Sequence, residues 1–153
     1  MTEYTIRDAT EQDVLDTVLA AYGFYKEAAP TSWGKFDSKK VNNLFMNLVN
    51  HELGFVKIVV YEEEIVGALI GVVQSMPINN LTFSQELMFW IDPEHRNGKT
   101  SFKLIDQYVE WSKEKNCEFA RLSTIDETTG AKAGVLFKRK GFKPTETAYI
   151  KEI

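Results

Sequence analysis

Between Met88 and Ile105 the chain runs from an apolar strand, Met88-Phe89-Trp90-Ile91, through Asp92-Pro93-Glu94-His95-Arg96-Asn97-Gly98-Lys99, and directly into a helix that starts near Thr100-Ser101-Phe102. Proline has no N–H to give a ladder, so the strand stops there. The helix that follows points unpaired backbone N–H groups and the positive end of its dipole back into the basic loop. Such a strand–loop–helix unit is an anion-binding device, suited to the pyrophosphate of a nucleotide cofactor. Geometry alone leaves two readings open, a cofactor site and a plain crossover.

The flanking sequence supplies further elements by its periodicity. Tyr4 to Arg7 reads as a short strand, and Thr10 with Asp13 as a helix cap ahead of Val14, Leu15, Val18, Leu19 and Tyr22 at helical spacing. After the break at residues 29–34, Asp37 or Ser38 caps a second helix carrying Val41, Leu44, Phe45, Leu48 and Val49 on one face. Residues 55–61 and 65–74 are β-branched runs separated by Glu62-Glu63-Glu64, which predicts a hairpin, and Phe83 to Ile91 is the next strand. A helix over about residues 100–115 follows, then a strand at Phe119 to Ile125 and a helix at Thr129 to Lys140 ended by Gly141. Phe142 to Ile153 is the last strand.

The order β-α-α-β-β-β-α-β-α-β predicts an α/β (α+β) fold with a mixed sheet and helices on both faces, in a single domain over residues 1–153. The 22 acidic residues outnumber the 18 basic ones to give a net charge of −4, which disfavours nucleic acid as partner. One cysteine, Cys117, fits a reducing compartment, and with two histidines it makes no metal cluster. No basic-then-apolar leader and no apolar run of spanning length occurs, so no membrane is expected and the location is read as cytoplasmic.

Ile91-Asp92-Pro93-Glu94-His95-Arg96 and the small-residue loop after it resemble the acetyl-CoA signature of the GNAT family, the Gcn5-related N-acetyltransferases. A second segment, Ala133-Gly134-Val135-Leu136-Phe137-Lys138-Arg139-Lys140-Gly141-Phe142, is similar to that family's A-x-x-L-Y-x-K-x-G-F run. The departures are specific. Lys99 and Ser101 stand where the family has its loop glycines, with Gly98 one place early. Phe137 stands for the frequent tyrosine that serves as general acid, and Gly130 for a common asparagine. The family also tends to finish with two strands, whereas twelve residues after Gly141 leave a shortened strand region.

The resemblance implies acetyl transfer from acetyl-CoA, as co-substrate, to a primary amine by direct attack in a ternary complex. It implies that Arg96 and the N–H groups of Arg96, Asn97, Gly98, Lys99, Thr100 and Ser101 surround the pyrophosphate. It implies too that the backbone of Phe89, Trp90 and Ile91 pairs with the pantetheine arm as an added strand would. Phe137 then packs beside the thioester, or simply in the core. Lys99, Lys138 and Arg139 read as exposed helix charges or as reaching a ribose phosphate.

Glu86 interrupts an otherwise apolar strand, where desolvation raises a carboxyl pKa towards the range of a useful base. The bland alternative is a strand glutamate on a solvent edge. Asp126 is the second candidate, with Glu127 beside it. Tyr22, Tyr25 and Trp33, with Phe36, form an aromatic group that suits either an acceptor pocket or core packing. His95, His51 and Cys117 read as structural. The acidic balance favours a cationic acceptor, an amine-bearing small molecule or a protein amine, and an unpaired sheet edge would let a partner chain complete a homodimer. The rival reading is a non-catalytic module of the same fold that binds acetyl-CoA or another protein.

Overall fold

The computed structural model describes residues 3–153. Strand β1 (Thr5–Asp8) precedes helices α1 (Val14–Ala28) and α2 (Ser38–Val49). Strands β2 (Gly54–Tyr61), β3 (Glu64–Ser75) and β4 (Thr82–Ile91) follow, then α3 (Gly98–Glu114), β5 (Phe119–Arg121) and α4 (Gly130–Arg139). The sheet keeps sequence order, β1-β2-β3-β4-β5, antiparallel through β4 and parallel between β4 and β5. The α/β class with a mixed sheet is therefore as the sequence indicated. At the β2–β3 hairpin Tyr61 faces Glu64, and both loop residues, Glu62 and Glu63, take positive φ of 50° and 67°. A two-residue hairpin needs that hand of turn to match the strand twist.

Two apolar layers sandwich the central strands. Against α1 and α2 lie Ile58, Ile70 and Met88, packed with Val14, Val18 and Phe45. On the other face Phe55, Val59 and Leu69 pack with Leu104 and Tyr108 of α3. Burial on both faces explains why β2 and β3 read as near-continuous apolar runs rather than alternating ones. The α1 stripe is narrower than its spacing implied. Val14 and Val18 are buried, whereas Leu15 and Leu19 are 70% and 65% exposed. Small residues line the buried face because α1 lies tight on β4. A Cβ added to Gly23 would stand 2.5 Å from Cη2 of Trp90.

Two expectations need correction. The strand expected at Phe119 to Ile125 stops at Arg121, and no strand forms in residues 142–153. After α4 the chain turns at Gly141 (φ 90°), the Phe142 N–H closes the helix on the Phe137 carbonyl, and Glu146 meets the Arg121 guanidinium. Strand propensity is realised only where a ladder partner is in place, and neither stretch has one in this fold.

Candidate functional site

The site grows from a failure of two parallel strands to stay together. β4 and β5 pair only at Phe83 with Phe119, Ser84 with Ala120 and Gln85 with Arg121. β4 then continues six residues to Ile91 with no β5 partner, leaving a wedge between the strands. Its register against β3 steps from Gly71–Glu86 to Ile70–Met88, so Leu87 is a bulged extra residue. A bulge bends its strand and re-aims the side chains beside it. At the apex the Gln85 carboxamide donates to the Glu86 carbonyl at 2.8 Å and to Ser123 Oγ at 3.2 Å, filling the place where the ladder ends.

Alternation along β4 decides which backbone groups reach the wedge. The Asp92 N–H donates to the Val66 carbonyl of β3 at 2.8 Å. Successive strand residues point opposite ways, so Trp90 also turns its main chain to β3, while Ile91 and Phe89 turn theirs to the wedge. The Ile91 carbonyl is already taken by Arg96 Nε at 2.7 Å. Of the three residues expected to offer backbone there, Phe89 keeps both groups, Ile91 keeps its N–H, and Trp90 is spent on β3.

Glu86 sits at the apex, only partly exposed. Burial pushes its carboxyl up to about 8, with a hydrogen bond from the Ser123 backbone N–H pulling the other way. Among the described residues no cation forms an ion pair with it. Its neighbour Tyr108 is fully buried and donates its hydroxyl to the Arg121 carbonyl at 2.9 Å. Burial raises that phenol's pKa, so the group is a fixed donor to backbone.

At the start of α3, Asn97 is the cap and its Oδ1 accepts the Thr100 N–H at 2.8 Å. Ser101 N–H closes on the Asn97 carbonyl at 3.3 Å. The six-residue donor set expected from the sequence therefore narrows. The Arg96 N–H closes on the Pro93 carbonyl at 3.5 Å, Thr100 and Ser101 are used within the helix, and the Gly98 and Lys99 N–H groups remain as first-turn donors without intrahelical acceptors. A Cβ at Gly98 would meet nothing within 4 Å, which leaves room for an anion there.

The Arg96 side chain is not turned into this loop. Nη1 donates to Glu27 Oε2 at 2.9 Å, Nη2 pairs with Glu27 Oε1, and Trp90 Nε1 donates to the same Oε1 at 2.7 Å. Arg96 holds the Glu27 carboxyl below the usual carboxylate range, against burial, with Trp90 adding to the effect. Glu27, Trp90 and Arg96 thus pin α1 to the end of β4. Beside them an open groove of about 500 Å³, lined by Gly23, Lys26, Glu27, Trp90 and Pro93, holds neither Glu86 nor the α3 donors.

The other singled-out residues fall as follows. Tyr22, Tyr25 and Phe36 do come together, with ring centroids 5.3 to 6.2 Å apart, and Tyr25 donates its hydroxyl to the Gly34 carbonyl at 2.8 Å. Trp33 is 54% exposed in the turn that follows, outside those ring contacts. Asp126 is exposed and accepts from Thr124 Oγ1 at 2.8 Å. Phe137 is buried, stacked on Phe89 at 6.1 Å and backed by Phe142. His51 Nδ1 accepts the Leu53 N–H, His95 Nδ1 meets the Tyr4 hydroxyl at 3.1 Å, and burial pushes the Cys117 thiol up. Among the described residues no group of three or more His, Cys, Asp or Glu is placed to hold a metal, and no helix is long and apolar enough to cross a membrane. Sequence reasoning missed Glu27, Gln85 and Ser123. Only Gly23, a glycine inside a helical pattern, offered a signal that something packs close there.

Comparison with known proteins agrees with this architecture. Residues 14–142 match the acetyltransferase (GNAT) family. No curated protein matches the chain. Among solved structures the chain is similar to AAC(6')-Iy in complex with a CoA bisubstrate analogue, at 12% identity and TM-score 0.81, covering 99% of this chain and 98% of that one. It is also similar to a transcriptional regulator from Bacillus halodurans C-125, at 17% identity and TM-score 0.79, covering 99% and 100%. A third is the ribosomal-protein-alanine N-acetyltransferase from Brucella melitensis biovar Abortus 2308, at 13% identity and TM-score 0.74, covering 98% and 99%. At these identities the likeness is one of fold.

Proposed function

The chain belongs to the acetyltransferase (GNAT) family, and from that premise we propose that it transfers an acetyl group from acetyl-CoA to a primary amine in a ternary complex, with Glu86 as the base. The observation that carries this reading is the carboxyl of Glu86 at the apex of the β4–β5 wedge, raised by burial to about 8 with no cation paired to it among the described residues. A base poised near the working pH accepts a proton effectively. When bound, acetyl-CoA supplies a thioester that an uncharged amine attacks directly. The Gly98 and Lys99 N–H groups would hold its pyrophosphate. The Phe89 main chain and the Ile91 N–H would pair with its amide arm, and Phe137 would pack along it.

Glu86 takes the proton the attacking amine must lose. The bulged Leu87, which stands outside the β3–β4 register, would offer a main-chain N–H to polarise the carbonyl under attack. Holding both reactants in the wedge supplies much of the rate, up to about 7–11 kcal/mol in favourable systems. Asp126, exposed beyond β5, serves in this reading to attract a cationic acceptor rather than to move its proton. Tyr22 and Tyr25, with Trp33 at the margin, would wall the acceptor side. The acceptor class is an amine-bearing small molecule or protein amine, met in a reducing cytoplasm.

A second reading is favoured by two observations. Phe137 has no proton to give, and Arg96 is occupied by Glu27. A non-catalytic module that binds acetyl-CoA or another protein would tolerate both. Calorimetric titration with acetyl-CoA, followed by thiol release with a panel of amines, separates the two. Binding with turnover of an amine supports the enzyme, binding without turnover supports the module, and no binding defeats the acetyl-CoA reading altogether.

A further inference from the structure

We propose that Tyr108 of α3 is the positioning residue for Glu86: one buried side chain reaches from β3 to β5 across the α3 face of β4 and fixes the point where the two parallel strands part. Its meaning for catalysis rests on the reading of Glu86 as the base.

Tyr108 is fully buried, with Phe55 edge-on at 5.4 Å and Trp111 stacked at 6.2 Å holding its ring. On β3 the ring bears on Gly71, where an added Cβ would stand 2.9 Å from Tyr108 Cε1. Gly71 is the residue paired with Glu86, at the step in the β3–β4 register. Close approach of this kind accounts for a glycine inside a central strand. On β5 the Tyr108 hydroxyl donates to the Arg121 carbonyl at 2.9 Å, and Arg121 is the partner of Gln85, the residue before Glu86. One turn further along α3, Ser112 Oγ meets Ser84 Oγ at 2.6 Å and ties the helix to β4 itself.

The effect reaches Glu86 through two successive peptides. The Arg121 carbonyl belongs to the peptide before Leu122, and the Ser123 N–H to the peptide after it. Each peptide is planar, so once Tyr108 holds the first, only φ and ψ of Leu122 aim the second. Leu122 packs against the apolar layer under α3, which limits those angles. The Ser123 N–H is thereby delivered to the Glu86 carboxyl, where it favours the ionised form against burial. Without the Tyr108 hydroxyl the end of β5 is released, that donor is lost, and Glu86 keeps its proton to higher pH. The titratable groups around the hydroxyl are Glu86 of β4, Arg121 of β5 and Cys117 after α3. Among the described residues no cation pairs with the Glu86 carboxyl.

Tyr108→Phe keeps the ring and removes the hydroxyl, whereas Ser112→Ala removes a buried hydroxyl from the same helix on its β4 side. Carbon-13 NMR of the glutamate side chains follows the Glu86 titration in each folded protein without any turnover, and Glu86→Gln identifies its signal. Tyr108→Phe should move the midpoint up by about half a unit to one unit, and Ser112→Ala should leave it in place. In acetyl transfer to an amine, the Tyr108→Phe pH–rate profile should shift equally. Its kcat at neutral pH should fall about three- to tenfold, with the KM for acetyl-CoA within about twofold of wild type. In the wild type, the Ser123 amide signal should titrate at the Glu86 midpoint. A Tyr108→Phe midpoint equal to wild type, an equal shift in Ser112→Ala, or a Ser123 amide indifferent to Glu86 would each overturn the proposal. A midpoint shifted by Tyr108→Phe alone, in a protein that turns over no amine, would sustain the positioning of Glu86 and defeat only its reading as the base.

Discussion

Replacing Glu86 by glutamine should make this protein more stable, and increasingly so as the pH rises. Glu86 has its carboxyl pKa lifted from 4.5 to about 8 by burial. The folded state thus holds a proton that the unfolded chain releases. Below about pH 4.5 both states are protonated and the group is neutral in the balance. Between that point and the folded pKa, stability is lost at up to about 1.4 kcal/mol per pH unit, and it stays lost above. A lift of about 3.5 units sets a ceiling of about 5 kcal/mol, and partial water access brings the expected loss to about 2–4 kcal/mol.

Glutamine keeps an oxygen for the Ser123 N–H and does not titrate in this range. Urea unfolding followed by far-UV circular dichroism, from roughly pH 5 to pH 9, reads the difference between the two proteins. The curves should nearly meet at the acid end and separate by about 2–4 kcal/mol at the alkaline end, with the variant the more stable. Parallel curves would show that Glu86 is not desolvated, and would remove the reason to assign it as base. Acetyl transfer should move the opposite way. Wild-type turnover rises through the same window as Glu86 ionises, and the variant loses about 10²–10⁴-fold.

Four further outcomes follow from the same geometry. Gly23→Ala puts a Cβ 2.5 Å from the Trp90 ring; overpacking of about 1–3 kcal/mol outweighs the helix gain of about 1 kcal/mol, so denaturant melts should show a net loss. Gly134→Ala, which meets nothing within 4 Å inside α4, should instead stabilise by about 0.5–1 kcal/mol, and the opposite ranking of these two variants would refute the close approach of α1 to β4. Arg96→Ala should weaken acetyl-CoA binding by about tenfold in calorimetry. Glu27→Gln, which frees the Arg96 charge, should tighten binding about two- to fivefold, and a loss equal to that of Arg96→Ala would mean that Arg96 acts only by pinning α1.

Much of the fold was legible because its signals are local. Pro93 ends β4, Asp37 caps the helix it precedes, and Gly141 stops α4, each through a backbone property of one residue and its near neighbours. The site was legible only in part. Glu86 stood out as a charge in an apolar strand, but Arg96 did not reveal that its guanidinium pairs with a carboxylate 69 residues earlier. The donor loop read as six equivalent N–H groups until the Asn97 cap withdrew Thr100 and Ser101 and the Pro93 carbonyl withdrew Arg96.

The sequence by itself therefore determined the order of the elements as far as α4, the strand–loop–helix crossover after β4, and the family. These depend on periodicity, on proline and glycine, and on short motifs. Tertiary structure decided which β4 backbone groups face the wedge, how high the Glu86 pKa stands, and that residues 142–153 remain without a ladder. Those outcomes depend on a bulge in the β3–β4 register, on what covers a side chain, and on whether a partner strand lies within reach. They are fixed by segments meeting across the fold, a relation that no local pattern in the chain encodes.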